Sequence, residues 1–248
     1  MQLRLASWPE VEQYLETSKV VLVPIGSTEQ HGPNGLLGTD AICPEIVARG
    51  VGEEQGCLVA PTINFGNAQH HLDFPGTVAL RPTTLLAVVI DVVNSLAHHG
   101  FDRIYFLNGH GGNIATIQAA FSEVYSEHSL SRAGDSVSPR CRLRNWWSGR
   151  RVGTLTRKLY GASDGSHATA SEVAMSYYAY PEAAKNVEMS PKIAPSGPIF
   201  DAKDYRRRFP DGRIGSDPSL ATAKAGEKLY KAAVEDVAED LERFRSAE

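Results

Sequence analysis

Apolar positions in this 248-residue chain fall into short unbroken runs that alternate with stretches of helical periodicity. Lys19 to Ile25 (KVVLVPI) is one such run, closed by Gly26 and Ser27, the mark of a strand buried on both faces. Thr39 to Glu54 then places Ile42, Ile46, Val47 and Val51 on one face and predicts a helix, with Pro44 in its first turn. Leu58 to Phe65 predicts a second strand, stopped by Gly66. Between Pro82 and His99, Leu85, Leu86, Val89, Ile90, Val93 and Leu96 form one stripe of a helix, which Thr83 or Thr84 can cap and Gly100 can end. Arg103 to Leu107 predicts a third strand, running into the loop NGHGGN (Asn108 to Asn113) and a helix from Ile114 to Glu127. Cys141 to Trp147 predicts a fourth strand, His167 to Tyr180 a helix, and Leu220 to Phe244 a long amphipathic helix. Pro191 to Pro218, rich in proline, glycine and charge, predicts extended loop.

Strands alternating with helices imply parallel strands joined by right-handed crossovers. The expected fold class is α/β: a three-layer αβα sandwich with a mostly parallel central sheet, in a single domain over 1–248. In such sheets, sites lie beyond the carboxyl ends of the strands. The segments Gly26 to Asp40 and Asn108 to Asn113 both begin where a predicted strand ends, so both belong at one edge of the sheet.

Composition narrows the classes. Twenty-five Lys and Arg against 29 Asp and Glu give a net charge of −4, a poor match to non-specific nucleic-acid binding. The dense basic stretch Arg206-Arg207-Arg208 reads as solvated loop. Cys43, Cys57 and Cys141 are odd in number and lack CxxC spacing, which argues against a disulfide framework or a zinc finger. The first residues lack the apolar core of a signal peptide, and no apolar run reaches membrane-spanning length. The expectation is a cytoplasmic protein with neither nucleic-acid nor membrane partners.

The candidate chemistry lies in four segments. Glu29, His31 and Asp40 bring two carboxylates and an imidazole within twelve residues, joined by a glycine-rich, uncharged stretch that can fold back on itself. These side chains suit zinc, manganese or iron(II). His110 sits among three glycines directly after a strand, where the backbone can approach a ligand closely. A phosphate-binding loop is the rival reading of NGHGGN, but the run has neither GxGxxG spacing nor a Walker lysine. His167 and Glu172 lie five apart, about 140° around a helix, so both reach one site only if His167 precedes the helix. His70 and His71 stand before a Phe-Pro-Gly-Thr turn, and one of them, His71 by preference, is a candidate for the substrate pocket; Trp146 and Trp147 are candidates for its wall. No serine or cysteine has an evident adjacent base.

With these segments in view, the chain resembles the creatininase (creatinine amidohydrolase) family. The stretches VPIGSTEQHGPNGLLGTD, FPGTVAL, FLNGHGGN and HATASE carry the resemblance in that order, and GRIGSDPSLATAKAGEKL fits as well. It implies an α/β fold with a two-metal site. Glu29, His31, Asp40 and His110 match the family's metal ligands, Asp40 as the bridge between two divalent ions (Zn, Mn or Fe). Creatinine-hydrolysing members carry a further carboxylate two residues after the histidine matched by His110; here that position is Gly112. Glu172 matches the glutamate of the family's HAxxxE motif and is the candidate to replace it. His167 matches that motif's histidine and is the candidate proton donor or acceptor. Asn34 stands where the first motif commonly has histidine. The glycine pair of NGHGGN resembles members acting on other amides, including formamidopyrimidine deformylases and a peptidase of peptide-cofactor maturation. Family members form higher oligomers, so a homohexamer is implied.

The resulting expectation is a metal-dependent amidohydrolase acting on a small-molecule amide, cyclic amide or formamide through a metal-activated water. The alternative is a metal- or ligand-binding member of the fold without turnover, which the missing carboxylate at Gly112 favours.

Overall fold

A computed structural model describes residues 1–130 and 139–246. Its sheet consists of β1 (Val20–Ile25), β2 (Leu58–Val59), β3 (Arg103–Asn108) and β4 (Arg140–Asn145), all parallel, in the order β2-β1-β3-β4. The helices are α1 (Trp8–Thr17), α2 (Thr39–Gln55), α3 (Pro82–His98), α4 (Ile114–Leu130), α5 (Arg150–Leu159), α6 (Ala170–Ala179), α7 (Ala202–Arg208) and α8 (Ala223–Ser246). Every residue of β1 is buried, as its unbroken apolar run predicts. The two-residue period of the strand then divides its side chains between two cores. Val20 and Leu22 pack with Val47 of α2, Ala174 of α6 and Leu229 and Val237 of α8. Val21, Val23 and Ile25 pack with Leu85 and Val89 of α3 and Ile117 and Phe121 of α4. The result is a three-layer αβα sandwich.

This topology places the site. From β1 the chain passes through α2 to β2 on one side, whereas β3 and β4 extend the sheet on the other. The order therefore reverses at β1, and a crevice opens beyond the carboxyl ends of β1 and β3. Ile25 and Asn108, the last residues of those strands, are register partners. The loops carrying Glu29 and His110 leave the sheet side by side.

Several elements differ from the sequence expectation. Only Leu58–Val59 forms a strand, although the chain stays beside β1 through Ala60 N–H to Leu22 O (2.8 Å) and Ile63 N–H to Pro24 O (3.0 Å). Pro61 has no N–H to give, which interrupts the ladder. β4 ends at Asn145, and Trp146–Ser148 turn as a 3₁₀ helix. Pro44 lies in the second turn of α2 rather than the first, so the Asp40 carbonyl has no N–H partner four residues ahead. The stretch from Pro191 to Pro218 is not all loop. It contains α7, whose first turn is capped by the Asp201 carboxylate accepting from Asp204 N–H at 2.8 Å. Arg206 to Arg208 thus end a helix, where positive charge suits the dipole. Arg208 and Arg207 pair with Asp204, and Arg206 lies 4.4 Å above the Phe74 ring. Among the described residues, no helix is long and apolar enough to cross a membrane.

Asp240 of α8 fastens the helical layer to the sheet. It accepts hydrogen bonds from Tyr105 OH (2.8 Å) and from Arg142 Nε (2.9 Å) and Nη2 (2.7 Å). Burial acts to raise its pKa, but the Tyr105 hydrogen bond and the Arg142 charge outweigh it and hold the carboxyl below its usual value. A carboxyl depressed in the folded state stabilises above its unfolded pKa, and that contribution disappears as pH falls through the folded pKa. Asp240→Asn is therefore expected to cost about 2 kcal/mol at pH 7, near the low end for a broken buried pair because Arg142 is partly exposed. Urea unfolding at several pH values checks this: the gap to the parent protein should close below about pH 4.

Candidate active site

Three backbone features bring distant side chains into the crevice. The loop after β1 folds back, with Glu29 N–H donating to Leu37 O at 2.9 Å, so the glycine-rich stretch returns Asp40 to face Glu29. The start of α2 then wedges between the ends of β1 and β3. A Cβ on Gly26 would lie 2.1 Å from Asp40 O, and one on Gly109 would lie 1.9 Å from the same oxygen. The loop after β3 is tied by its two asparagines. Asn108 Nδ2 donates to His110 O (2.6 Å) and Asn145 Oδ1 (2.9 Å), while Asn113 Nδ2 donates to Gly26 O (2.9 Å). These tethers leave His110 pointing into the crevice.

The cluster they create is dense and dry. Glu29, His31, Asp40 and His110 are each at most 6% exposed. His31 Nε2 lies 3.0 Å from Asp40 Oδ1, and His110 Nδ1 lies 2.9 Å from Asp40 Oδ2 and 3.3 Å from Glu29 Oε2. Glu172 Oε1 lies 3.9 Å from His31 Nε2, and His167 Nδ1 lies 3.9 Å from Glu29 Oε1. In each of three groups, one ligand atom per residue lies within 4.8 Å of the others: Glu29–Asp40–His110, His31–Asp40–Glu172, and Glu29–His31–His167. Asp40 is common to the first two.

The hydrogen bonds fix which way each imidazole faces. His110 Nε2 sits 3.0 Å from the Asn67 carbonyl, and His31 Nδ1 sits 3.1 Å from the Glu29 carbonyl. A neutral imidazole that donates one N–H to a carbonyl presents its other nitrogen as a lone pair. Those other nitrogens are the ones aimed at the carboxylates. Both Glu29 carboxylate oxygens are buried and accept no aligned hydrogen bond. A buried carboxylate without aligned donors is costly unless a cation satisfies it, so the donor set fits a divalent metal. Oxygen and imidazole donors suit zinc, manganese and iron.

With carboxylates this close, the inward nitrogens of His31 and His110 hold protons that a bound cation would displace. Burial opposes a proton on His31, yet Asp40, Glu172 and Glu29 raise its pKa to about 10. In His110, burial is likewise outweighed by Glu29 and Asp40, and the pKa rises to about 9. Asp40 is held well below the usual carboxylate range: burial is overcome by His31 and His110. Burial lifts Glu172 to about 7, with His31 opposing. His167 moves well below its ordinary value through burial and the neighbouring His71 and His31, and so is neutral.

His167 precedes α6 rather than joining it, which lets it reach the site together with Glu172. Ala168 between them takes φ +52°, an uncommon backbone for a residue with a Cβ. Glu172 also closes the capping box of α6, its Oε1 accepting from Thr169 N–H at 2.6 Å. His71 does not stand on the cavity wall. It is buried behind Glu29, its Nε2 3.0 Å from Oε1, with Gln30 Nε2–H donating to its Nδ1 at 2.9 Å. Burial lowers its pKa to about 2. Trp146 and Trp147 do line the cavity, edge to face with each other. That cavity measures about 570 Å³ and opens onto Asp40, His110, His167 and Glu172.

Other contributors left weaker traces in the sequence. Gln30 joins His71, Tyr205 and the Gly212 carbonyl, with its Nε2 3.3 Å from Tyr205 OH and 2.9 Å from Gly212 O. Asn67 holds His110 through a main-chain carbonyl, which no side-chain pattern reveals.

Fold and site together define an α/β protein with a buried carboxylate–imidazole cluster at the carboxyl edge of its sheet. The chain belongs to the creatininase family, whose model, described as creatinine amidohydrolase, matches residues 4–241. It is 26% identical over 248 residues to the creatinine amidohydrolase of Pseudomonas putida, covering 95% of this chain and 94% of that protein. It is 29% identical over 243 residues to the mycofactocin precursor peptide peptidase of Mycolicibacterium smegmatis, covering 91% of this chain and 85% of that protein. A solved structure of creatininase with Mn superposes with a TM-score of 0.84 at 24% identity, covering 99% of both chains.

Proposed function

We propose that this protein is a metal-dependent amidohydrolase that hydrolyses a C–N bond of an amide, cyclic amide or formamide. The observation that carries the reading is the buried Glu29 carboxylate, whose oxygens accept no aligned hydrogen bond, beside Asp40 and two imidazoles, His31 and His110, whose opposite edges are already pinned to carbonyls. In this reading Glu29, Asp40 and His110 hold one divalent ion, and His31, Asp40 and Glu172 hold a second. Ions held there would supply Lewis acidity, polarising a carbonyl and lowering the pKa of water from ~16 towards ~7.

The remaining work falls to the chain. Asp40 holds both groups of ligands in one geometry, because each of its oxygens faces a different imidazole. Asn67 and the Glu29 carbonyl keep His110 and His31 in the tautomers that expose the inward nitrogens. His167, neutral and on the cavity wall, accepts the proton of the attacking water or delivers one to the leaving nitrogen. Such proton transfer is worth roughly 10²–10⁴-fold in rate. Trp146 and Trp147 wall the cavity and exclude water from the reacting amide.

The rival reading, ligand binding without turnover, is favoured by Gly112. A Cβ there would lie 2.4 Å from His110 Nε2 and 2.6 Å from Asn67 O, so this loop leaves no room for a carboxylate side chain. One experiment separates the two. Metal content is measured on the purified protein, and hydrolysis is followed on creatinine, cyclic amides, formamides and short peptides before and after chelation. Stoichiometric transition metal with chelator-sensitive hydrolysis is expected. Bound metal with no turnover on any substrate supports the rival, and absence of metal with unchanged behaviour after chelation overturns the metal-dependent reading.

A further inference from the structure

The cavity that reaches the buried cluster is also lined by one long cation. Helix α5 contributes Gly153, Thr156 and Arg157 to the cavity wall, residues at spacings that share a helix face. Among the titratable groups lining the cavity, each acid has assigned contacts. Asp40 faces His31 and His110. Asp164 accepts from Ser171 N–H (2.8 Å) with one oxygen and from Ser171 Oγ–H (3.0 Å) with the other. Glu172 accepts from Thr169 N–H. Arg157 has no such claim on it: among the described residues its hydrogen bond runs to Thr154 Oγ1 of its own helix at 3.5 Å, and no carboxylate pairs with it. On the same helix, Arg151 pairs with Glu235, Asp236 and Glu239.

Size points the same way. A cavity of about 570 Å³ has room for a substrate that extends well beyond a single amide group. A guanidinium presents a rigid fork of donors that matches a carboxylate with two parallel hydrogen bonds. A substrate that fills this cavity with its scissile amide against the cluster brings its remaining groups to the other lining residues, Arg157 among them.

We propose that Arg157 is a specificity-determining residue that binds a carboxylate of the substrate, so that the preferred substrates are amides bearing a free carboxylate away from the scissile bond. This rests on the amidohydrolase reading for what happens at the cluster, but not for the anion preference itself.

The test uses the protein as purified and reads binding, with each probe recovered after titration and checked for cleavage so that heat of hydrolysis is not counted as heat of binding. Matched acid and amide probes of increasing length are titrated calorimetrically: N-acetylglycine, N-acetyl-β-alanine and N-acetyl-γ-aminobutyrate, each against its primary amide. The expected result is that at least one acid binds roughly tenfold or more tightly than its amide, the size of one charge-assisted contact. Arg157→Ala should erase that preference, and Arg157→Lys should retain part of it, since the charge stays and the fork is lost. Arg157 is exposed, so both variants should fold as the parent does, which circular dichroism checks. A preference that survives in Arg157→Ala places the anion elsewhere, at the cluster itself, and overturns the proposal; equal binding of every acid and its amide does so as well. Hydrolysis of amides without any acid preference would sink this proposal and leave the amidohydrolase reading standing. An Arg157-dependent acid preference in a protein that hydrolyses nothing would do the reverse.

Discussion

Asp40→Asn should empty both ligand groups at once and reduce hydrolysis by about three orders of magnitude or more, equivalent to about 4 kcal/mol of transition-state stabilisation. The expectation follows from where its two oxygens lie. Oδ1 faces His31 at 3.0 Å and Oδ2 faces His110 at 2.9 Å, and Asp40 is the residue shared by the Glu29–Asp40–His110 and His31–Asp40–Glu172 groups. Asparagine keeps the shape but replaces one oxygen with an amide donor and removes the negative charge. Whichever way the amide turns, one imidazole loses its partner. Glu172→Gln is the matched comparison, because Glu172 belongs to only one of the two groups that share Asp40. It should weaken one site and spare the other. Metal analysis by mass spectrometry, with activity measured alongside, reads both variants. If Asp40→Asn retains full metal occupancy, Asp40 does not join the two groups and the proposed ligand arrangement fails.

The sequence reached this cluster because metal-binding side chains are chemically few and sit at strand ends. Glu29, His31 and Asp40 cluster within one loop, and His110 follows the strand that pairs with β1. The layers were equally legible, since an apolar strand and a striped helix announce themselves through period. What did not show was anything that depends on a contact made across the fold. His71 looks like a pocket residue from its neighbours in sequence, yet the turn at Gln69–His71 drives it behind Glu29. Helix α5 was invisible because its apolar stripe is only Val152, Leu155 and Leu159 among polar and charged residues. Its start is capped not by a local residue but by Asp236 of α8, whose Oδ2 accepts from Val152 N–H at 3.0 Å. Helix α7 is too short to show a period and owes its place to Tyr205 packing against His71 and Phe74. Arg157 gave no signal either, because a single arginine acquires meaning only from the cavity it faces.

Gly109→Ala should be the most damaging single-methyl change in the site loop, costing about 3 kcal/mol or more of stability and releasing metal with it. The added Cβ would stand 1.9 Å from Asp40 O and 2.7 Å and 2.8 Å from Pro44 Cδ and Cγ. None of these atoms can step aside by rotating a side chain. The carbonyl belongs to the first turn of α2, and the proline ring is fixed to the helix one turn later. Gly109 cannot retreat either, because its N–H donates to Ile25 O at 2.8 Å and holds the loop to the end of β1. Relief therefore requires α2 to move away from the sheet, which would carry the Asp40 carboxylate out of reach of His31 and His110. Gly111→Ala is the internal control: the same loop, two residues on, with nothing within 4 Å of the new methyl. That change should stay within about 0.5 kcal/mol of the parent. Urea unfolding and metal content measured on both variants decide the matter. Equal stability of the two would mean that α2 yields without cost, and the wedge between β1 and β3 could not be what holds Asp40 in place.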